Sequence, residues 1–154
     1  MSIALTNVTG GAQTGFTTPG YTVTADNSVD GNVKKWVVTA LTGTQTGVRA
    51  HSVSDEFSFM FVKPRVMKTA PLFSTLNPAA AKVETNRYWI IIRKGGIPAS
   101  GLNSVPQIIK IPIDVTAGVD SYDAPNMRAM VSMLVGALNQ LSAGIGDTLA
   151  NGIL

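Results

Sequence analysis

Cysteine is absent and histidine occurs once, at position 51. A chain without thiols has no disulfide framework and no thiolate metal site. A lone imidazole with no second imidazole or thiol does not assemble a metal centre. The carboxylates Asp26, Asp30, Asp55, Glu56, Asp120 and Asp123 fall in turn or cap positions. No G-x-S-x-G elbow, P-loop or dinucleotide fingerprint is present. Catalysis, a cofactor and a bound metal are therefore not expected, and His51 reads as a packed or surface residue rather than a general base.

Charge is also scarce. Only 14% of residues are charged against 45% hydrophobic, too few to cover a monomer of this size, so part of the apolar surface is expected to lie against another subunit. The net charge of +3 permits a polyanionic partner without establishing one. The only basic runs are Lys34-Lys35 and Arg93-Lys94. MSIALTNVTGG has neither the basic region nor the apolar stretch of a signal peptide, so the mature chain is expected to begin there. No apolar run reaches the ~18 residues of a membrane span, and the most apolar segment is interrupted by Arg128, Ser132 and Gly136. No membrane partner is expected.

The 154 residues suit one domain, residues 1–154, that changes character once. To about residue 119 it is rich in Thr, Val, Ile and Gly, the composition of an antiparallel sheet. Candidate strands are 2–8, 21–25, 33–41, 48–63, 87–94 and 106–115, joined by segments such as DNSVDGN, LTGTQTG and GGIPASGLNSVP that carry turn chemistry. Alternation along EFSFMFVK puts Phe57, Phe59 and Phe61 on one face and Glu56, Ser58, Met60 and Val62 on the other. RYWIIIRK divides in the same way. Tyr88, Ile90, Ile92 and Lys94 form a more aliphatic, core-directed face, while Arg87, Trp89, Ile91 and Arg93 form a basic, aromatic one.

Helical sequence follows, over about 123–154. Asp123 with Pro125 makes a helix start with a side-chain cap and a proline in the first turn. Met127, Met130, Val131, Leu134, Leu138 and Leu141 recur at three- and four-residue spacing. Ala129, Met133, Val135 and Ala137 leave little polar surface elsewhere, and Arg128 is the only charge from Ala124 to Leu141. Such a helix requires burial nearly all round. One sheet covers one side of it, so a second subunit is expected to cover another. A short helix or turn, GIGDTLANGIL, closes the chain, with Ile145, Leu149, Ile153 and Leu154 as contacts.

This order of parts, an N-terminal hairpin, a meander, a long Gly- and Pro-rich loop before the last strand and two C-terminal helices, resembles the coat protein of levivirus-type single-stranded RNA bacteriophages. DGNVKKWVV, with Trp36, resembles the segment entering that family's central sheet. NRYWIIIRK resembles its strand opening with Asn-Arg, and IKIPID its last strand with an Ile-Pro pair. The resemblance covers about residues 3–154 and rests on order and spacing.

The resemblance implies an α+β fold and an interlocked homodimer with a continuous sheet, each subunit's helices lying across its partner, with Met127, Met130, Val131, Leu134, Leu138 and Leu141 at the interface. It also implies an icosahedral shell in the virion, assembled in the bacterial host cytoplasm with a maturation protein. Single-stranded genomic RNA would be packaged against the inner sheet face by Lys35, Arg87, Trp89, Arg93 and Lys110. Arginine and indole suit that task because looped RNA is met largely through phosphate contact and stacking. Family members that read an RNA hairpin commonly stack a base on a tyrosine of the last strand, and PQIIKIPIDV has none. Packaging therefore fits these residues better than translational repression. The segment Lys63 to Lys82 is longer than the family's usual connection and reads as a surface excursion at a contact between dimers. The competing reading is another self-assembling structural protein, a tail-tube, fibre or pilus subunit without RNA binding; the C-terminal helix pair argues against it.

Overall fold

In the computed structural model, which describes residues 3–28, 30–70 and 83–154, the Thr-, Val- and Ile-rich runs pair with their sequence neighbours. The strands β1 (Val8–Thr9), β2 (Thr17–Asp26), β3 (Val33–Thr44), β4 (Phe57–Val62), β5 (Thr85–Gly96) and β6 (Val105–Thr116) form one antiparallel sheet in chain order. Three helices follow: α1 (Val119–Tyr122), α2 (Ala124–Gln140) and α3 (Ser142–Asn151). The first helix is a single turn that the hydrophobic pattern does not announce.

Residues directly opposite one another in an antiparallel pair project to the same side. Phe57, Phe59 and Phe61 pair with Lys94, Ile92 and Ile90, and the last two pair in turn with Ile109 and Ile111. The phenylalanine face of β4 and the aliphatic face of β5 are therefore one surface, as their separate alternations require. Trp36 joins it opposite Phe59, their rings 6.0 Å apart. Tyr21 meets Phe57 edge-on at 5.6 Å, and Phe61 lies 6.0 Å from Tyr88.

Several strand boundaries differ from the sequence expectation. Residues 3–7 are not strand, and β1 is confined to two residues. The expected strand over 48–63 is extended only from Phe57, because Ser52 and Asp55 exchange backbone hydrogen bonds across a tight turn, reinforced by Ser52 Oγ accepting from the Asp55 N–H. His51 is structural: its Nδ1 accepts from the Phe57 N–H at 3.1 Å and its own N–H donates to the Val38 carbonyl. Strand β5 runs on through Gly95 and Gly96, which shortens the loop before β6 to residues 97–104. Of the expected excursion over 63–82, residues 71–82 lie outside the described residues.

Pro125 occupies the first turn of α2 as expected, but Asp123 makes no side-chain cap. Its carboxylate instead accepts from the Asn126 side-chain amide at 2.8 and 2.9 Å. No residue of α2 or α3 is buried, and neither helix packs against a strand of its own sheet. Alpha-helix α3 is tied at its start to the turn after β1, where Gln13 Nε2 donates to the Ser142 carbonyl and hydroxyl at 2.8 Å. Among the described residues no single helix is long and apolar enough to cross a membrane, and α2 and α3 are bent 60° from each other. The chain exposes 10966 Å², whereas a compact monomer of 16.1 kDa exposes about 7,400 Å².

Two buried polar side chains hold the irregular segments to the sheet. Asp55, 7% exposed, is paired with Arg49 and with Lys94 Nζ at 2.9 Å, and accepts from Ser104 Oγ at 3.3 Å. A side chain at position 95 would collide with this carboxylate, which accounts for Gly95 inside a strand. Asn86, 2% exposed, accepts from the Lys68 N–H at 2.8 Å and donates to the Lys68 carbonyl at 2.9 Å. Its amide thus serves both backbone groups of a residue that has no strand partner. Replacing Asn86 by Ala removes both bonds and is expected to cost about 1–3 kcal/mol. Denaturant unfolding checks this, and a variant within about 0.5 kcal/mol of the parent would show the clasp to be idle.

Candidate nucleic-acid interface

The opposite face of the sheet carries every charged residue that the sequence assigned to RNA. Lys35 lies opposite Met60, Met60 opposite Ile91 and Ile91 opposite Lys110, which places the two lysines in one cross-strand row. Arg93 sits opposite Ser58 and Ile108, and Trp89 between Val62 and Pro112. Arg87 lies opposite Asp114. Lys35, Arg87, Trp89, Arg93 and Lys110 come from three strands and share one side, because register fixes direction.

Most of this charge already has a partner. Arg87 donates from Nε and Nη2 to the two carboxylate oxygens of Asp114 at 2.7 and 2.8 Å, and its guanidinium carbon lies 5.8 Å from the Trp89 ring centroid. This two-point geometry is the strong form of the pair, and the indole adds a cation–π contact. Lys35 Nζ is 2.9 Å from Asp26 and 3.8 Å from Glu56. Arg93 approaches Glu56 at 3.5 Å, while its buried Nε has no hydrogen-bond partner among the described residues. Lys110 is exposed and has neither ion pair nor hydrogen bond among the described residues.

These contacts move the carboxylates downward. Hydrogen bonding and charge from Lys35 lower Asp26, and the Arg87 hydrogen bond lowers Asp114 while raising Arg87. For Glu56, burial pushes upward but is outweighed by the Ser58 hydroxyl and by the charges of Arg93 and Lys35, so the net direction is down. The face is thus a partly neutralised basic surface with one half-buried indole.

No protein-family model and no curated protein matches the chain. Among solved structures, the virus-like particle of bacteriophage ESE020 matches with a TM-score of 0.94 and 44% sequence identity, covering 100% of both chains. The chain belongs to the bacteriophage capsid-protein family.

In this capsid protein, the strand alternation places Glu56 with Arg87 and Arg93 on the polar side but does not place Asp26 and Asp114 there. Asp26 and Asp114 stand directly opposite Lys35 and Arg87 in the ladder. A hairpin register, once drawn, would have revealed both pairs. The pairing of Glu56 with Arg93 is not given by direct register, because Glu56 reaches Arg93 diagonally from the residue before β4.

Acid should weaken the capsid protein through these pairs. A carboxylate lowered in the native state adds stability that is complete above its ordinary value and is lost as pH falls through the native one. Asp55, lowered chiefly by the Lys94 hydrogen bond, belongs to the same class as Asp26 and Asp114. The thermal midpoint is expected to fall once pH drops below the ordinary aspartate value of 3.8, and less steeply in Asp55→Asn than in the parent. Equal slopes in the two proteins would refute the assignment for Asp55.

Proposed function

We propose that this capsid protein is the coat protein of a levivirus-type single-stranded RNA bacteriophage: it dimerises, closes into an icosahedral shell and packages RNA against the polar face of its sheet. The observation that carries the reading is the division of that sheet. Lys35, Arg87, Trp89, Arg93 and Lys110 lie on one side, and the phenylalanine and isoleucine rows of β4, β5 and β6 lie on the other. One side suits phosphate and base, the other suits protein.

Dimerisation is supported by what one chain leaves uncovered. Strand β6 is a sheet edge with exposed Ile108 and Ile109, available to extend the sheet into a second copy. On α2 and just beyond it, Met130, Val131, Leu138 and Leu141 are exposed, and Met127 and Leu134 only half-covered. The exposed area exceeds that of a compact monomer by about 3,500 Å² per chain, more than the ~1,000–2,500 Å² that each partner of an obligate interface buries. Helices of one subunit laid over the apolar face of the other would remove both surfaces from water. A shell of such dimers would form in the host cytoplasm and incorporate a maturation protein. A base held by the inner face would stack on Trp89, since β6 carries no aromatic residue; packaging therefore stands ahead of hairpin repression.

Leu134→Asp tests the interlocked dimer. A charge buried without a partner costs several kcal/mol, so no folded dimer should be recovered. A folded, monodisperse monomer would show that α2 needs no partner.

Lys110→Glu and Trp89→Ala test the RNA face, with encapsidated RNA read from the absorbance ratio at 260 and 280 nm. Reversing the unpaired lysine should lower RNA content and flatten the salt dependence of binding. Trp89→Ala should weaken binding by about 1–3 kcal/mol with little change in salt slope. Parental RNA content in both variants would remove this face from RNA binding.

A further inference from the structure

The polar face of the sheet carries its own competitors for RNA phosphate. Four cations, Lys35, Arg87, Arg93 and Lys110, share it with three carboxylates, Asp26, Glu56 and Asp114, and only Lys110 lacks a partner among the described residues. The Arg87–Asp114 pair is the most complete, with both carboxylate oxygens engaged at 2.7 and 2.8 Å. A guanidinium presents the same parallel donors to a phosphate that it presents to a carboxylate. A phosphate reaching Arg87 must therefore displace Asp114, which is attached to the neighbouring strand directly opposite and is present at high effective concentration.

We infer that Asp114, supported by Asp26 and Glu56, sets the strength of RNA binding by occupying cations that phosphates would otherwise take. The inference rests on the RNA-face reading above and deepens it. Each chain then offers RNA a net charge of one on this face rather than four. Few counterions are released per subunit, and RNA is held weakly at each point and firmly only by the sum over many copies. The pairs are accessible, with side-chain exposures of 58% for Arg87 and 43% for Asp114, so exchange between carboxylate and phosphate needs no rearrangement of the sheet.

The test compares the full-length parent with Asp114→Asn and with the double variant Arg87→Gln/Asp114→Asn. Two quantities are read: binding of labelled poly(U) across a salt series, and RNA content of purified particles. Asp114→Asn is expected to bind several-fold more tightly at low salt and to steepen the logarithmic salt slope by about 0.7, the value for one additional phosphate contact on a single strand. The double variant removes the released guanidinium as well, so the gain in affinity and the added slope of Asp114→Asn are expected to disappear in it. An unchanged slope in Asp114→Asn overturns the proposal. So does a double variant that keeps the full gain of Asp114→Asn, because the released cation would then not be Arg87.

Should Asp114→Asn fail to fold, Asp26→Asn combined with Glu56→Gln releases Lys35 from its carboxylates at 2.9 and 3.8 Å and is expected to change binding and slope in the same direction, with an unchanged slope again overturning the proposal. Lys110→Glu separates the two levels. If it loses RNA while neither aspartate variant gains any, the face binds RNA and the competition does not exist. If it loses nothing and the aspartate variants gain nothing, both readings fail together.

Discussion

Twelve consecutive residue pairs lock β5 to β6, from Thr85 opposite Thr116 to Gly96 opposite Val105, and this register decides the rest of the molecule. Side chains alternate with period two, so a slip of one position would exchange the surfaces wholesale. Arg87 would lose Asp114, and one of Ile90 and Ile92 would stand opposite Lys110 in place of an isoleucine. The strand ends resist such a slip. Asn86 clasps the Lys68 backbone at one end, and at the other the buried Asp55 leaves room for nothing larger than glycine at position 95. The placement of each charge on the polar face follows from that alignment rather than from any local preference.

The same alignment leaves the apolar face incomplete. Only Trp36, Val38, Val115 and Ala117 are buried hydrophobic residues among those described, while the aromatic and isoleucine rows stay half-covered. A domain of this length normally buries about 70% of its unfolded surface, which a core this small does not approach. The helices add to the deficit instead of relieving it. Hydrophobic burial is the main favourable term in folding, so a chain built like this has its stability tied to the concentration of its own copies.

What was readable from the sequence followed from periodicity. The two-residue alternation of EFSFMFVK and RYWIIIRK, and the spacing from Met127 to Leu141, located two strands, a helix and the side on which Arg87 and Arg93 lie, whereas the side of Lys35 and Lys110 follows only from the cross-strand register. Reading failed where one residue overrode a pattern. The stretch from Val48 to Glu56 has strand-like composition, but Ser52 and Asp55 fold it into a turn. Asp123 has the chemistry of a cap, yet Asn126 takes its carboxylate. Asp26 and Asp114 escaped because they are adjacent to their cations across the sheet and separated from them along the chain, as with Arg87 and Asp114, 27 positions apart.

Asp55 gathers Arg49, Lys94 and Ser104, and so joins the turn before β4, the end of β5 and the start of β6 through one carboxylate. In mechanical terms it is an anchorage at the root of a lever. The arm beyond it, with Ile97 and Leu102 exposed and Gly101 in a left-handed conformation at φ 82°, can be bent or lengthened while its root stays fixed. The loop over 97–104 can therefore vary in sequence without altering the register that fixes the two faces of the sheet.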